Sequence, residues 1–128
     1  MIAVDTSTMI AFFEGGEGED IELLKQCIES EAIVLPPLAF SEIASDPELP
    51  SKVLNVLLEL PLLEIKEGYW QRAGELRARI LKKKLKARMA DSLITQSCLG
   101  HDVPLITRDS DFRHFAQHVG LKLLNKIW

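Results

Sequence analysis

Five carboxylic acids, Asp5, Glu42, Asp91, Asp109 and Asp111, occur where an acid is out of place. Asp5 follows the apolar run Ile2-Ala3-Val4, and Asp109 and Asp111 follow Val103-Pro104-Leu105-Ile106-Thr107. Glu42 sits among Leu38, Ala39, Phe40, Ile43 and Ala44, and Asp91 beside Ala90, Leu93 and Ile94. Withdrawing an ionised carboxylate from water is costly, so such groups need partners. Acids gathered together raise one another's pKa unless a cation intervenes, and no matching set of cations adjoins these in sequence. Hard oxygen donors suit Mg²⁺ or Mn²⁺, which bind through a few carboxylates plus substrate phosphate. The chemistry implied is phosphodiester hydrolysis, with a metal-activated water as nucleophile. Each acid also has a plainer use. Asp5 can be a helix N-cap, Glu42 can face solvent, Asp91 can pair with Arg88, and one of Asp109 and Asp111 can cap a helix.

The elements that must position these acids alternate between two periods. Short apolar runs predict strands at 2–4, 32–35, 62–65, 103–107 and 121–124. Helical spacing predicts helices over 9–13, from a cap at Asp20 through Ile21, Leu24 and Ile28, over 38–45 behind Pro36-Pro37, and over 52–60. Further helices are expected from Glu67 to about Lys84 on an apolar face of Trp70, Ala73, Leu76, Ile80 and Leu81, from Ala87 to Leu99 with Gly100 as the stop, and over 109–118. Strands alternating with helices imply one α/β domain over 1–128, a parallel sheet covered on both faces. In such sheets ligands bind beyond the carboxyl ends of the strands, where Asp5 and Asp109 fall.

The chain has 128 residues, 47% apolar and 27% charged, an ordinary globular profile that excludes disordered, collagen-like and disulfide-scaffold readings. Its net charge of −4 argues against a globally basic nucleic-acid binder. The average hides a local excess. From Arg72 to Arg88, eight basic residues stand against Glu75 alone, a net of +7 that leaves −11 elsewhere. The end of this segment, Lys82, Lys83, Lys84, Lys86 and Arg88, is expected on the rim of the acidic cleft as a contact to a nucleic-acid backbone, or else as a solvated helix face. Cys27 and Cys98 in apolar helical contexts fit buried thiols in a reducing compartment. With neither a basic leader nor a spanning apolar run at the N-terminus, a cytoplasmic location without a membrane partner is expected.

Other residues carry weaker signals. His101, His114 and His118 form no zinc pattern with the cysteines, and His114/His118 is only a weak metal pair. Trp70 beside Tyr69, and Trp128, are expected as core or interface anchors. Phe12, Phe13, Met9, Leu23 and Leu24 supply either core or an oligomer or partner groove. Asp109-Ser110-Asp111 lies too near the end of the chain for a haloacid-dehalogenase nucleophile, which sits on the first strand. A receiver-domain phosphoacceptor is missing after the 62–65 run, which leads into Lys66-Glu67-Gly68.

Taken together, Asp5-Thr6-Ser7, Phe40-Ser41-Glu42-Ile43, Asp91-Ser92-Leu93-Ile94 and Leu105-Ile106-Thr107-Arg108-Asp109-Ser110-Asp111-Phe112 resemble the motifs of PIN-domain ribonucleases, and among them the VapC-type toxins of type II toxin–antitoxin pairs. The order and spacing of the four motifs span nearly the whole chain. The resemblance implies a three-layer α/β/α sandwich with a mostly parallel central sheet, and a Mg²⁺- or Mn²⁺-dependent endoribonuclease whose acids are Asp5, Glu42, Asp91 and Asp109. Asp111 matches an additional metal-site acid, and Ser7 and Thr107 match polar residues beside the acids, with Thr107 orienting a carboxylate. It further implies RNA as substrate, a cognate antitoxin as partner and a homodimer. Thr95-Gln96 depart from the small alanines usual after the Asp91 motif. A PIN nuclease of RNA processing and a non-catalytic PIN-like binding module remain the alternatives. In the latter the acid set would be incomplete, whereas here all four positions are filled.

Overall fold

Three short strands form a parallel sheet in the order β2-β1-β3, with β1 (Ile2–Val4) between β2 (Ile33–Val34) and β3 (Leu105–Ile106). Ala3 pairs with Val34 on one side and Leu105 on the other, and the β3 ladder continues to Asp5 N–H on the Ile106 carbonyl at 2.9 Å. The computed structural model describes residues 1–127; Trp128, an expected anchor, lies outside the described residues.

Between and after the strands run α1 (Thr6–Phe13), α2 (Glu19–Glu29), α3 (Pro37–Ala44), α4 (Ser51–Glu59), α5 (Tyr69–Lys82), α6 (Met89–His101) and α7 (Arg113–Val119). Helices pack around the sheet as the expected α/β/α sandwich: α2 lies against β2 and β3, α3 against α1 and α6, and α5 against α6 and α7. None of the helices among the described residues is long and apolar enough to cross a membrane. Ala3, Val4, Leu105 and Ile106 are completely buried, as a strand covered on both faces requires.

The expected strands at 32–35 and 103–107 shrink to two residues each, and those at 62–65 and 121–124 shrink to isolated pairings. The 62–65 run contributes one isolated parallel pairing, Leu35 with Leu62, because the Glu64 carbonyl turns to His101 Nε2 at 2.8 Å instead of continuing a ladder. The 121–124 run likewise pairs only through Leu123, opposite Leu105. There the next rung is made by a side chain. Asn125 Oδ1 accepts from Thr107 N–H at 3.2 Å and Asn125 Nδ2 donates to the Thr107 carbonyl at 2.7 Å, so a buried amide side chain replaces a peptide group.

Helix boundaries differ for local reasons. The stripe that α5 buries is Tyr69, Ala73, Leu76 and Ile80, so Trp70 and Leu81 fall on the outer side, Trp70 being 66% exposed with its ring edge-on to Tyr69. The turn 83–88 separates α5 from α6, so Lys84 and Ala87 are not helical. Gly100 lies inside α6, whose stop is Asp102 at φ 50°, a left-handed position that aspartate tolerates. Gly18, not Asp20, takes the N-cap position of α2, and Cys27 rather than Ile28 faces inward. Met9 and Leu24 are core, and Phe12, Phe13 and Leu23 pack against it, the core side of that alternative.

Candidate functional site

The carboxyl ends of β1 and β3 and the N-terminus of α6 converge on an open cleft of about 310 Å³ lined by Asp5, Thr6, Ser7, Ile10, Glu42, Arg88, Ala90, Asp91 and Asp109. A larger concavity of about 570 Å³ along Glu19 and 123–126 holds no such gathering of acids.

Asp5 ends β1 and is 4% exposed. It takes the N-cap position of α1, but its carboxylate does not cap the helix. Asp5 Oδ2 instead accepts the hydroxyls of Ser7 at 2.7 Å and Thr107 at 2.8 Å. Burial raises the Asp5 pKa above the usual carboxylate value, while those two hydroxyls pull it back. Thr107 Oγ1 also accepts the Asp109 backbone N–H at 3.0 Å, so one buried hydroxyl ties the first acid to the last.

Asp109 is both a cap and a member of the cleft: its Oδ1 accepts the Asp111 N–H at 2.9 Å, opening the short 3₁₀ turn Ser110–Phe112. Phe112 and Phe115 are fully buried with ring centroids 5.9 Å apart, and each stabilises the fold by about 1.5–3 kcal/mol through burial. That anchors the acidic turn from its far side. Asp91 stands in the first turn of α6, buried, and exposed Glu42 on α3 reaches the cleft edge, accepting Thr6 Oγ1 at 2.7 Å.

Oxygens of Asp91, Asp109 and Asp111 lie within 4.8 Å of one another. Burial pushes Asp91 up to about 6, with the charges of Asp5 and Asp109 adding and Arg88 opposing. Lys86, Arg88 and Arg113 hold Asp111 below its ordinary value, the Lys86 hydrogen bond most strongly. Clustered, partly desolvated, all-oxygen donors are a fitting set for a hard divalent cation, and no histidine or cysteine belongs to the group among the described residues.

Cations adjoin the acids in space although no matching set adjoins them in sequence. Arg88, the N-cap residue of α6, donates from Nε to Asp91 Oδ2 at 2.9 Å and from Nη2 to Asp109 Oδ2, and Lys86 Nζ lies 3.0 Å from Asp111 Oδ2. The pairing of Asp91 with Arg88 and the membership of Asp91 in the cleft therefore coexist. The rest of the basic segment is elsewhere. Lys82 and Lys83 line a separate depression with Arg79, Gln117 and His118, and exposed Lys84 occupies the turn after α5 at φ 64°. The turn after Lys82 redirects the chain, so the rim of the acidic cleft receives only Lys86 and Arg88 of the five.

Three supporting residues, Asn125, Asp20 and Arg108, are not apparent from sequence. Asn125 holds Thr107 by both backbone atoms. Buried Asp20 accepts Arg108 Nε at 2.8 Å, Arg108 Nη2 at 3.0 Å and Thr8 Oγ1 at 2.9 Å, fixing the residue between Thr107 and Asp109 against α1 and α2. Burial acts to raise the Asp20 pKa, but these donors outweigh it and hold it below the ordinary value. The signal for Asp20 is its position among Gly18, Glu19 and Ile21, which also fits a cap; Asn125 has none.

A family model described as PIN domain matches residues 2–117. No curated protein is a significant match. Among solved structures, VapBC2 from Rickettsia felis bound to a DNA fragment from their promoter is similar with a TM-score of 0.76 and 19% identity, covering 98% of this chain and 99% of that one. FitAcB from Neisseria gonorrhoeae matches with a TM-score of 0.68, 18% identity and coverage of 98% and 97%. DNA-bound VapBC from Salmonella typhimurium matches with 0.68, 18%, and coverage of 96% and 97%. At these identities the likeness to the three structures is one of fold.

Proposed function

The chain belongs to the PIN-domain family, and from that premise we propose that it is a metal-dependent endoribonuclease acting as the toxin of a type II toxin–antitoxin pair. The observation that carries the nuclease reading is the convergence of Asp5, Glu42, Asp91 and Asp109 on one cleft, with Asp111 joined to it through Asp91 and Asp109. In this reading Asp5, Glu42, Asp91 and Asp109 hold Mg²⁺ or Mn²⁺ directly or through water, and Asp111 supplements them. When bound, such an ion lowers the pKa of a water that attacks the phosphodiester and offsets charge on the scissile phosphate.

The chain's own residues prepare that chemistry. Thr107 and Ser7 orient the Asp5 carboxylate, leaving Asp5 Oδ1 outside their bonds. Thr6 steadies Glu42. Lys86 and Arg88 bring positive charge to an acidic mouth that would otherwise repel a polyanion, and contact the RNA backbone without reading sequence. Lys82, Lys83 and Lys84, which lie apart from the cleft, offer the same backbone a second stretch of exposed basic surface.

The toxin reading is supported by the PIN-family membership, the four motifs and the similarity to structures named as VapBC complexes. It carries with it a cognate antitoxin, a homodimer and a cytoplasmic location. The test is direct. Purified protein should cleave RNA with Mg²⁺ or Mn²⁺ and not in EDTA. Its expression alone should arrest growth, and co-expression of the small protein encoded beside it should relieve the arrest. Cleavage that persists in EDTA would refute the metal dependence, and cleavage without growth arrest would leave a PIN nuclease of another role.

A further inference from the structure

The main chain around Arg88 is tied down by hydrogen bonds, while its side chain projects half-exposed into the cleft. The Arg88 carbonyl accepts both Ser92 N–H at 3.0 Å and Ser92 Oγ at 2.9 Å, and the carbonyl of buried Ala87 accepts Arg77 Nε at 2.7 Å. The Arg88 side chain, by contrast, is 48% exposed and meets the cleft acids through its guanidinium. That guanidinium takes Asp91 Oδ2 and Asp109 Oδ2 together and lies 3.5 Å from Asp111 Oδ2. Asp109 Oδ1 is already committed to the Asp111 N–H. Arg88 thus covers the Asp109 oxygen that the fold leaves free, and the carboxylates it bridges are those whose oxygens lie within 4.8 Å of one another.

We propose that Arg88 is a built-in counter-ion that competes with the divalent cation for Asp91 and Asp109, so that loading the site requires its guanidinium to swing out of the acid cluster. The inference rests on the metal-site reading above. A guanidinium and a divalent ion carry like charge and would draw on the same oxygens, so the two states exclude each other. The planar fork matters, because it spans two carboxylates at once where a lysine ammonium acts as a point charge. Lys86 touches Asp111 and is placed to hold that acid in either state. The metal-free cluster is thereby kept from self-repulsion, and metal binding releases one cationic side chain at the cleft mouth, where a phosphate backbone must pass.

The test measures metal rather than turnover. Mn²⁺ binding to the full chain, followed by calorimetry and by the loss of the free-ion paramagnetic resonance signal, is compared for wild type, Arg88→Gln and Arg88→Lys. Arg88→Gln is expected to bind Mn²⁺ about five- to tenfold more tightly at low salt, with the gap narrowing at high salt. Arg88→Lys keeps the charge without the planar fork and is expected between the two. Thermal melting should show a larger Mn²⁺-induced rise in Tm for Arg88→Gln, with the metal-free form lowered. Equal or weaker Mn²⁺ affinity in both variants overturns the role of Arg88 and leaves the metal site standing; no Mn²⁺ binding by any of the three proteins overturns both.

Discussion

Thr107 Oγ1 donates to Asp5 Oδ2 at 2.8 Å across 102 positions of sequence. The same oxygen accepts the Asp109 N–H, so the geometry of two acids from opposite ends of the chain depends on one hydroxyl with no exposure to solvent. Asp5 is the most deeply buried of the five acids, and burial raises its pKa while the two hydroxyls pull it back.

Asp5→Asn should therefore separate stability from function. Asparagine keeps an oxygen for Ser7 and Thr107 and removes a buried charge whose pKa is raised by desolvation. The metal-free variant is expected to be about 1 kcal/mol more stable than wild type at pH 7, with RNA cleavage lost. Urea denaturation in EDTA reads the first and a gel assay the second; cleavage at the wild-type rate would sink the site assignment.

The pH dependence of the metal-free protein follows from Asp91. Its folded pKa, about 6, lies above the usual carboxylate value near 3.8, so the folded state holds the proton more firmly than the unfolded chain. This group's stabilising effect is full below pH 4 and is lost as pH rises to about 6, on the order of 2 kcal/mol by linkage. Asp5 acts in the same direction. Denaturation curves between pH 4 and 7 in EDTA should show this decline, and Asp91→Asn should flatten it.

Asp20 has the opposite sign. Its pKa is lowered by Arg108 and Thr8 against burial, so its contribution is present above pH 4 and fades as pH falls through its folded value. Asp20→Asn should cost about 1–3 kcal/mol at pH 7, and the difference from wild type should shrink in acid. A constant difference down to pH 3 would show that the ion pair is not its source.

The cationic surface makes a prediction in salt. In an Asp5→Asn background, neutralising Lys82, Lys83, Lys84 and Lys86 together should flatten the slope of log RNA affinity against log salt by roughly 0.7 for each RNA phosphate that the lysines no longer neutralise. Because Lys86 borders the acids while Lys82 and Lys83 lie on another depression, restoring Lys86 alone separates RNA binding at the cleft from RNA binding beside it. An unchanged slope for the fourfold variant would remove the basic segment from RNA binding.

The acids are legible in the sequence because each breaks a local pattern: Asp5 and Asp109 end apolar strands, and Glu42 and Asp91 interrupt apolar helix turns. Element order is legible for the same reason, since runs such as 2–4 and stripes such as 73, 76 and 80 differ in period. Strand extent is not, because apolar character specifies burial and not which backbone groups pair. Glu64 commits its carbonyl to a histidine, and Asn125 supplies a rung from its side chain. The one-residue slip on α5 arises because Tyr69 and Trp70 are both aromatic, and only packing against α6, where the Tyr69 hydroxyl donates to the Leu93 carbonyl at 2.7 Å, selects between them. Arg88 reads as the end of the basic run before it, although a turn detaches it from that run and delivers it to the acids.

The strand order has a consequence for synthesis. The central strand of the sheet leaves the ribosome first, yet Ala3 finds Val34 only after α2 has been made and Leu105 only after six helices have been made. Until that last strand docks, Thr107 and Asp109 are absent from the cleft, so a nascent chain lacks the assembled carboxylates until the residues beyond β3 have been made. Pairings of such long sequence separation also favour slow folding, which leaves an interval between synthesis of β3 and the appearance of the assembled site.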